Sequence, residues 1–207
     1  MIMVYAVDIS NMDITCYKTL YAAASTERKV RADRCRKPEN ARCTIVAGAL
    51  LRYCAKQYLG TEAFTLEKNE HGKPRLKEWP GFYFNISHSG HWVVLAWGNT
   101  EVGIDVQTMD SDEKTEKIAH RFFTRPERDY VMQTQGGKTE RFYRVWTAKE
   151  SYLKYLGTGL QKPLNSFCVR SMEHPNFFFR QLCDCAMTLC TEEDSYQLEI
   201  LQPEQLL

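Results

Sequence analysis

The sequence predicts an α+β protein built from two similar halves. Three observations point there. A strand, a helical start, a long helix and further strands follow one another in residues 1–99, and the same order returns in residues 100–207. The two long helices share a last turn, Tyr58-Leu59-Gly60 and Tyr155-Leu156-Gly157. Their leading strands rhyme, Val7-Asp8-Ile9 against Ile104-Asp105-Val106. Each match alone is at chance level, so the repeated order carries the argument.

The elements are justified in turn. Val4–Ile9 is a short apolar run that reads as a strand. Ser25–Arg36 opens as an Arg-rich helix. A long helix is predicted over Glu39–Leu59, because Pro38 precedes it and Gly60 follows it. Strands are predicted over Thr61–Lys68, Gly81–Ile86 and Trp92–Trp97. The junction falls near Gly98-Asn99-Thr100 without a flexible linker, so the halves are expected to pack tightly. Glu101–Gln107 is a β-branched run with turn residues on both sides (Asn99 before, Asp110 and Ser111 after) and reads as a strand. Glu113–Phe123 and Arg125–Gln133 read as helices, the second with Pro126 in its first turn. Thr139–Leu156 is the second long helix. Phe142, Trp146, Lys149, Glu150 and Leu153 share one of its faces. Strands are predicted at Ser166–Arg170, Phe177–Leu182, Ala186–Cys190 and Tyr196–Leu201.

Composition excludes several classes. Of 207 residues, 43% are apolar and 26% charged, which is ordinary for a folded domain with a sizeable core. A net charge of +1 sets up no global field for nucleic acid, so an anion site must be local. No apolar run reaches membrane-spanning length, and the first ten residues lack the charged leading region of a secretory signal. The eight cysteines are scattered, without a paired C-x-x-C. Cys183, Cys185 and Cys190 read as strand residues rather than metal ligands, and reduced thiols in the cytoplasm are expected.

Three stretches carry chemistry. On the 101–107 strand, alternation puts Gly103, Asp105 and Gln107 on one face. An acid pointing off an apolar strand wants a cation or a donor. The 142–160 helix sets Lys149 and Glu150 beside its apolar line, where burial is costly unless something polar meets them. The bland alternative there is an i,i+4 pair of Glu150 with Lys154. Asp105 with Glu150 makes a hard oxygen site of the kind Mg²⁺ uses: one or two carboxylates, waters and substrate phosphates. Upstream, Phe82–Gly90 runs from a strand into a polar turn. Its Asn85, Ser87, His88 and Ser89 suit a phosphate or a sugar.

Gly103-Ile104-Asp105-Val106, then W-T-A-K-E-S-Y-L-K at 146–154, with F-N-I-S-H-S at 84–89 upstream, resembles the 4′-phosphopantetheinyl transferases. The length matches the longer, single-chain Sfp-like class. The resemblance runs nearly end to end and includes H-G-K-P at 71–74. It implies that family's fold, with two subdomains related by a pseudo-twofold axis and the active cleft between them. Residues 1–99 would bind the nucleotide of coenzyme A, and residues 100–207 would hold the metal site and the catalytic helix. The implied reaction moves phosphopantetheine from coenzyme A to a serine of an apo acyl or peptidyl carrier protein, with Mg²⁺, releasing adenosine 3′,5′-bisphosphate. Fatty acid, polyketide and nonribosomal peptide synthesis use such carriers. The resemblance makes Asp105 and Glu150 the metal ligands, with Glu150 the base for the serine proton, directly or through a metal-bound water. Lys149 and Lys154 would neutralise phosphate oxygens, and Glu127 would orient Lys149. Arg28, Arg31, Arg42, Lys73, Ser87 and His88 would bind the nucleotide end. Trp146 is expected to pack the helix. Phe122 and Phe123 read as core, with a carrier contact as the alternative for residues 108–125.

One position departs from the family pattern. Many members carry a second acid two residues after the Asp, where this chain has Gln107. An amide oxygen is a neutral, weaker ligand, so Gln107 is expected to touch the metal weakly or through water. A coenzyme A-binding module without turnover is the competing reading, and retention of Asp105, Lys149, Glu150 and Lys154 argues against it. A thioester-directed acyltransferase would want a Cys/His or Ser/His arrangement, which the sequence does not suggest. A monomer, with no nucleic-acid or membrane partner, is the expected working unit.

Overall fold

The computed structural model describes residues 1–110, 114–133 and 136–207. Alternation along the first strand sets up the whole architecture. In β1 (Ile2–Asp8), Ile2, Val4 and Ala6 belong to one core, and Tyr5 and Val7 to another. β1 is therefore buried on both faces, and each face needs its own layer. It pairs antiparallel with β5 (Trp92–Gly98), which pairs antiparallel with β4 (Tyr83–Ser89). On its other side β1 pairs in parallel with β9 (Tyr196–Leu201), giving the order β4-β5-β1-β9.

Helices cover the Tyr5 face. They are α1 (Ile14–Ala23), α2 (Thr26–Asp33) and α3 (Pro38–Leu59), and Ile45, Ala49 and Leu50 of α3 pack in the same core as Tyr5, Val7, Val93 and Leu95. The opposite face of the sheet meets a second sheet. Ile2, Val4, Ala6, Val94 and Ala96 pack with Val102, Ile104 and Val106 of β6 (Val102–Thr108) and with Met187 and Leu189 of β8 (Cys185–Thr191). This second sheet has the antiparallel order β6-β8-β7, with β7 at Asn176–Leu182. Its outer face carries α4 (Lys114–Phe122), α5 (Arg125–Val131) and α6 (Lys138–Leu156) over a third core that includes Phe142, Val145, Ala148 and Leu153. The layers thus run helices, sheet, sheet, helices.

Local chemistry places the helix ends. Asp13 and Ser25 cap α1 and α2 by accepting from the Cys16 and Arg28 amides at 2.7 and 3.3 Å. Pro38 sits in the first turn of α3. Gly60 and Gly157 end α3 and α6 in the left-handed region, at φ +70° and +66°.

Four elements differ from the sequence reading. α1 was not foreseen, because only Cys16 and Leu20 of its ten residues are buried and leave almost no apolar period. The strand expected over Thr61–Lys68 shrinks to β2 (Leu66–Lys68), paired with an unforeseen β3 (Pro74–Leu76). The helix expected from Glu113 begins within the described residues at Lys114, and Glu113 and Ser111 lie outside them. The strand expected over Ser166–Arg170 is a 3-10 turn at Leu164–Ser166 followed by a loop.

That loop has a clear physical cause. Lys149 is fully buried, and its ammonium donates to the Leu164 and Phe167 carbonyls at 2.7 and 2.6 Å. Its third partner is the buried Glu127 carboxylate at 2.8 Å. Glu127 in turn accepts from the Val169 amide at 2.9 Å and from the Thr124 amide and hydroxyl at 2.8 and 2.7 Å. Backbone groups a strand would give to a neighbour go to two charged side chains instead. Leu164, Phe167 and Val169 pack around them.

Removing one member of a buried ion pair strands the other charge, at about 3–5 kcal/mol. Lys149→Met is expected to lose about that much in urea unfolding. Adding Glu127→Gln should recover a large part, because no buried charge then remains. A double variant no more stable than Lys149→Met would contradict this account.

A second test concerns the contact between α6 and β6. A Cβ built on Gly103 would overlap the Ser151 carbonyl oxygen and the Tyr155 nitrogen of α6. Glycine lets the helix lie directly on the strand at this point. Both obstacles are backbone, so Gly103→Ala should destabilise by about 3 kcal/mol or more. A melting temperature unchanged by the substitution would show that the two elements are not in such contact.

Candidate active site

The site starts from a strand edge. One edge of β6 pairs with β8, and its other edge faces β4, the last strand of the first sheet. No backbone ladder joins β6 to β4. Alternate side chains of β4 supply the partners instead. The Ile104 amide donates to Asn85 Oδ1 at 2.9 Å, the Val106 amide to Ser87 Oγ at 3.3 Å, and the Thr108 amide to Ser89 Oγ at 3.0 Å. Lysines serve the carbonyls: Lys154 reaches the Ile104 oxygen at 3.0 Å and Lys73 the Val102 oxygen at 3.1 Å. A polar seam therefore runs between the two sheets, with functional side chains in it.

Asp105 lies on this seam and is buried. Its Oδ1 accepts from Lys154 Nζ at 2.6 Å and from the Ser87 hydroxyl at 3.0 Å, and Lys154 also touches Ser87 at 2.9 Å. The i,i+4 pairing of Glu150 with Lys154 is not formed. Lys154 finds three acceptors on the seam, against a helical pair worth only a few tenths of a kcal/mol. Glu150, half-buried, has no hydrogen bond or ion pair among the described residues. Burial, then the nearby Asp105 charge, pushes its carboxyl above the usual range, against the pull of Lys154. Gln107 sits two residues along β6, half-buried, opposite Ala186, and has no hydrogen-bond partner among the described residues.

Two cavities meet at the seam. The first, about 330 Å³, is lined by Arg28, Arg31, Thr44, Ser87, His88 and Lys154, among others. Its character is cationic. The Arg28 stem lies over Gly48 of α3, where an added Cβ would come within 3.2 Å of Nε, and its guanidinium donates to the Thr44 carbonyl at 3.4 Å. Burial, then Arg31, Lys154 and Arg28, lowers the His88 imidazole below its ordinary value. The second cavity, about 260 Å³, is lined by His71, Lys73, Glu150, Leu153 and Gly157, among others. Pro74, Asn85 and Lys154 line both cavities and form the neck between them.

Three expected site residues lie elsewhere. Arg42 donates to the Met12 carbonyl at 3.4 Å and stands over the Tyr17 ring, and the α3 residue that lines the cationic cavity is Thr44. Two positions along α3, about 200° around the helix, separate Arg42 from Thr44 and set them on different sides. Lys73 borders the second cavity, but its ammonium is buried and committed to Glu101 at 2.6 Å, the Val102 carbonyl, and the Tyr155 carbonyl at 3.0 Å. It stitches the β2–β3 turn to β6 and α6 and is not among the residues lining the cationic cavity. Lys149 spends all three protons inside the α5–α6 core. Trp146 stacks with Phe142 at 6.1 Å between centroids and packs the helix. Phe123 is buried, and Phe122 and Met109 are partly buried beside it.

Comparison with known proteins identifies the family. Residues 101–201 match the family model described as 4′-phosphopantetheinyl transferase superfamily, and residues 15–100 match that described as 4′-phosphopantetheinyl transferase, N-terminal. A 4′-phosphopantetheinyl transferase of Bacillus subtilis is 36% identical over 154 residues, 73% of this chain and 68% of that one. The transferase Sfp of Bacillus subtilis strain 168 is 37% identical over 153 residues, 70% of this chain and 66% of its own. The transferase psf-1 of Bacillus pumilus is 31% identical over 182 residues, 85% and 77% of the two chains. With both halves matched, the chain belongs to the 4′-phosphopantetheinyl transferases and is an enzyme of that family.

Proposed function

We propose that the enzyme takes the phosphopantetheine group from coenzyme A, uses Mg²⁺, and delivers the group to a serine hydroxyl of an apo carrier protein. Adenosine 3′,5′-bisphosphate is the other product. One observation carries the reading: the unpartnered Glu150 lines a cavity that joins, at Lys154, one lined by Arg28, Arg31 and His88, and the buried Asp105 is bonded to that same Lys154. Coenzyme A has that same polarity, with a 3′-phosphate at the nucleotide end and a pyrophosphate further along.

The serine oxygen attacks the phosphorus bearing pantetheine. The bond from that phosphorus to the bridging oxygen breaks, and the bisphosphate departs with the electron pair. Catalysis is mostly placement and charge. Arg28, Arg31, His88 and Ser87 hold the nucleotide end. Lys154 offsets charge on the departing phosphate. Glu150, whose side chain has no partner among the described residues, accepts the serine proton. The donor set fits Mg²⁺, because two mutually repelling carboxylates beside a phosphate site are what a hard dication satisfies. Bound there, Mg²⁺ would neutralise phosphate charge. Gln107 takes an outer or water-bridged place. Lys149 holds the wall behind Glu150, and Lys73 holds the floor.

Residues 1–99 supply the nucleotide end and residues 100–207 the acidic pair, as two halves about an approximate twofold axis. Support comes from the paired long helices, each ending at a left-handed glycine and each backing a sheet. β9 qualifies the division by returning to β1. One chain supplies both sides of the neck, so we take a monomer in the cytoplasm as the working unit. No described helix is long and apolar enough to cross a membrane.

Intact-mass analysis of apo carrier proteins with coenzyme A and Mg²⁺ tests the reaction. Transfer should add one phosphopantetheine, and Asp105→Ala and Glu150→Ala should each slow it by about 100-fold or more while remaining folded. Near-normal transfer by Glu150→Ala would remove its assigned role. The nucleotide pocket has its own measurement. A charge-assisted contact is worth about 1.5–3 kcal/mol, so wild type should prefer coenzyme A over 3′-dephospho-coenzyme A, and Arg28→Ala should lose about 10-fold of that preference. Equal preference in both proteins would move the 3′-phosphate away from Arg28.

A further inference from the structure

Asn85 has a donor that the seam does not use. Its Oδ1 accepts from the Ile104 amide at 2.9 Å, and only the oxygen of a carboxamide can do so. That bond fixes which way the amide points. Nδ2 is therefore turned from β6, and it meets no acceptor among the described residues. The residue is buried at 7% exposure and lines both cavities where they join, beside Lys154. Nδ2 is not one of the buried side-chain atoms left without a partner, so it opens into the space where the cavities join, and a ligand there can receive its protons.

We infer that Asn85 Nδ2 is a substrate-binding donor for the pyrophosphate of coenzyme A at the neck. The inference rests on the coenzyme A reading given above. If the nucleotide lies in the cationic cavity and the serine is activated at Glu150, the pyrophosphate crosses the neck between Asn85 and Lys154. Lys154 supplies charge there, and its protons already have acceptors in the protein. Asn85 supplies a neutral donor of fixed direction, held by the strand edge itself. Being neutral, it adds no charge beside Glu150.

Calorimetric binding of two probes tests this: coenzyme A, and adenosine 3′,5′-bisphosphate, which lacks the second phosphorus. Wild type, Asn85→Ser and Asn85→Asp are compared, with thermal melts run in parallel. Asp keeps an acceptor for the Ile104 amide, and Ser removes the donor without adding charge. Both variants should lose about 10-fold or more in affinity for coenzyme A. Their loss for the bisphosphate should be at least threefold smaller, and Asn85→Asp should melt close to wild type. Equal losses for the two probes would make Asn85 a structural residue only and overturn the inference, as would wild-type affinity in both variants. Wild type that fails to bind coenzyme A at all would instead sink the underlying reading, and this inference with it.

Discussion

The outer edge of β6 is the constraint on which the rest depends. A strand edge facing another sheet inside a protein must find partners for every amide and carbonyl. β4 cannot offer its backbone, because it borders a different sheet. The chain meets the need with side chains at a spacing of two, Asn85, Ser87 and Ser89, and with two lysines that reach in from a turn and a helix. The result is a layer of polar groups between two apolar cores. The groups that solve the backbone problem are also those that line the site, so the site lies where the sheets meet.

The three charges of the W-T-A-K-E-S-Y-L-K helix have three fates. Lys149 points into the α5–α6 core, where Glu127 and two carbonyls receive it. Glu150, one position on, is turned about 100° around the helix to the cleft. Lys154 shares that side but reaches Asp105. Six residues of helix, Lys149 to Lys154, thus supply wall, cleft and seam. A buried lysine needs three acceptors to offset its desolvation, and Lys73, Lys149 and Lys154 each have them. The guanidiniums of Arg28 and Arg31 are not tied to a carboxylate by any ion pair among the described residues, which leaves them available to an anion.

The sequence made much of this legible, and what escaped it shares one character. Alternation located β6, apolar runs located β1 and β5, and Pro38, Gly60 and Gly157 bounded the long helices within a residue. β4 runs on to Ser89, so the polar turn expected at Asn85–Ser89 is strand. The family resemblance pointed to Asp105 and Glu150, which lie near enough for the Asp105 charge to raise the Glu150 carboxyl. What stayed hidden depends on a partner far away in the chain. Lys73 in a G-K-P turn reads as a presented cation until Glu101 is found beside it. Leu164 to Val169 reads as a strand until Lys149 and Glu127 take its backbone. N-I-S-H-S reads as a ligand grip, yet three of its side chains, Asn85, Ser87 and Ser89, first serve β6. α1 failed for a different reason: it covers the core with two side chains, too few for a period to show.

Charge bookkeeping at the neck explains why metal and substrate belong together in the proposed reaction. Asp105 contributes one negative charge, and Lys154 cancels it at 2.6 Å. Glu150 contributes a second that no described residue cancels. With Gln107 where many relatives have an acid, no third carboxylate on β6 adds to this. A pyrophosphate entering the neck would meet Glu150 as a like charge, in a setting where burial strengthens the repulsion. In the proposed reaction Asp105 and Glu150 would hold Mg²⁺, which would supply positive charge to offset that repulsion. Neutral donors such as Asn85 and Ser87 can then crowd the same space without altering the balance. The seam is built from amides and hydroxyls for the backbone's sake, and that choice leaves Glu150 without an ion pair among the described residues, where the proposed reaction would use it.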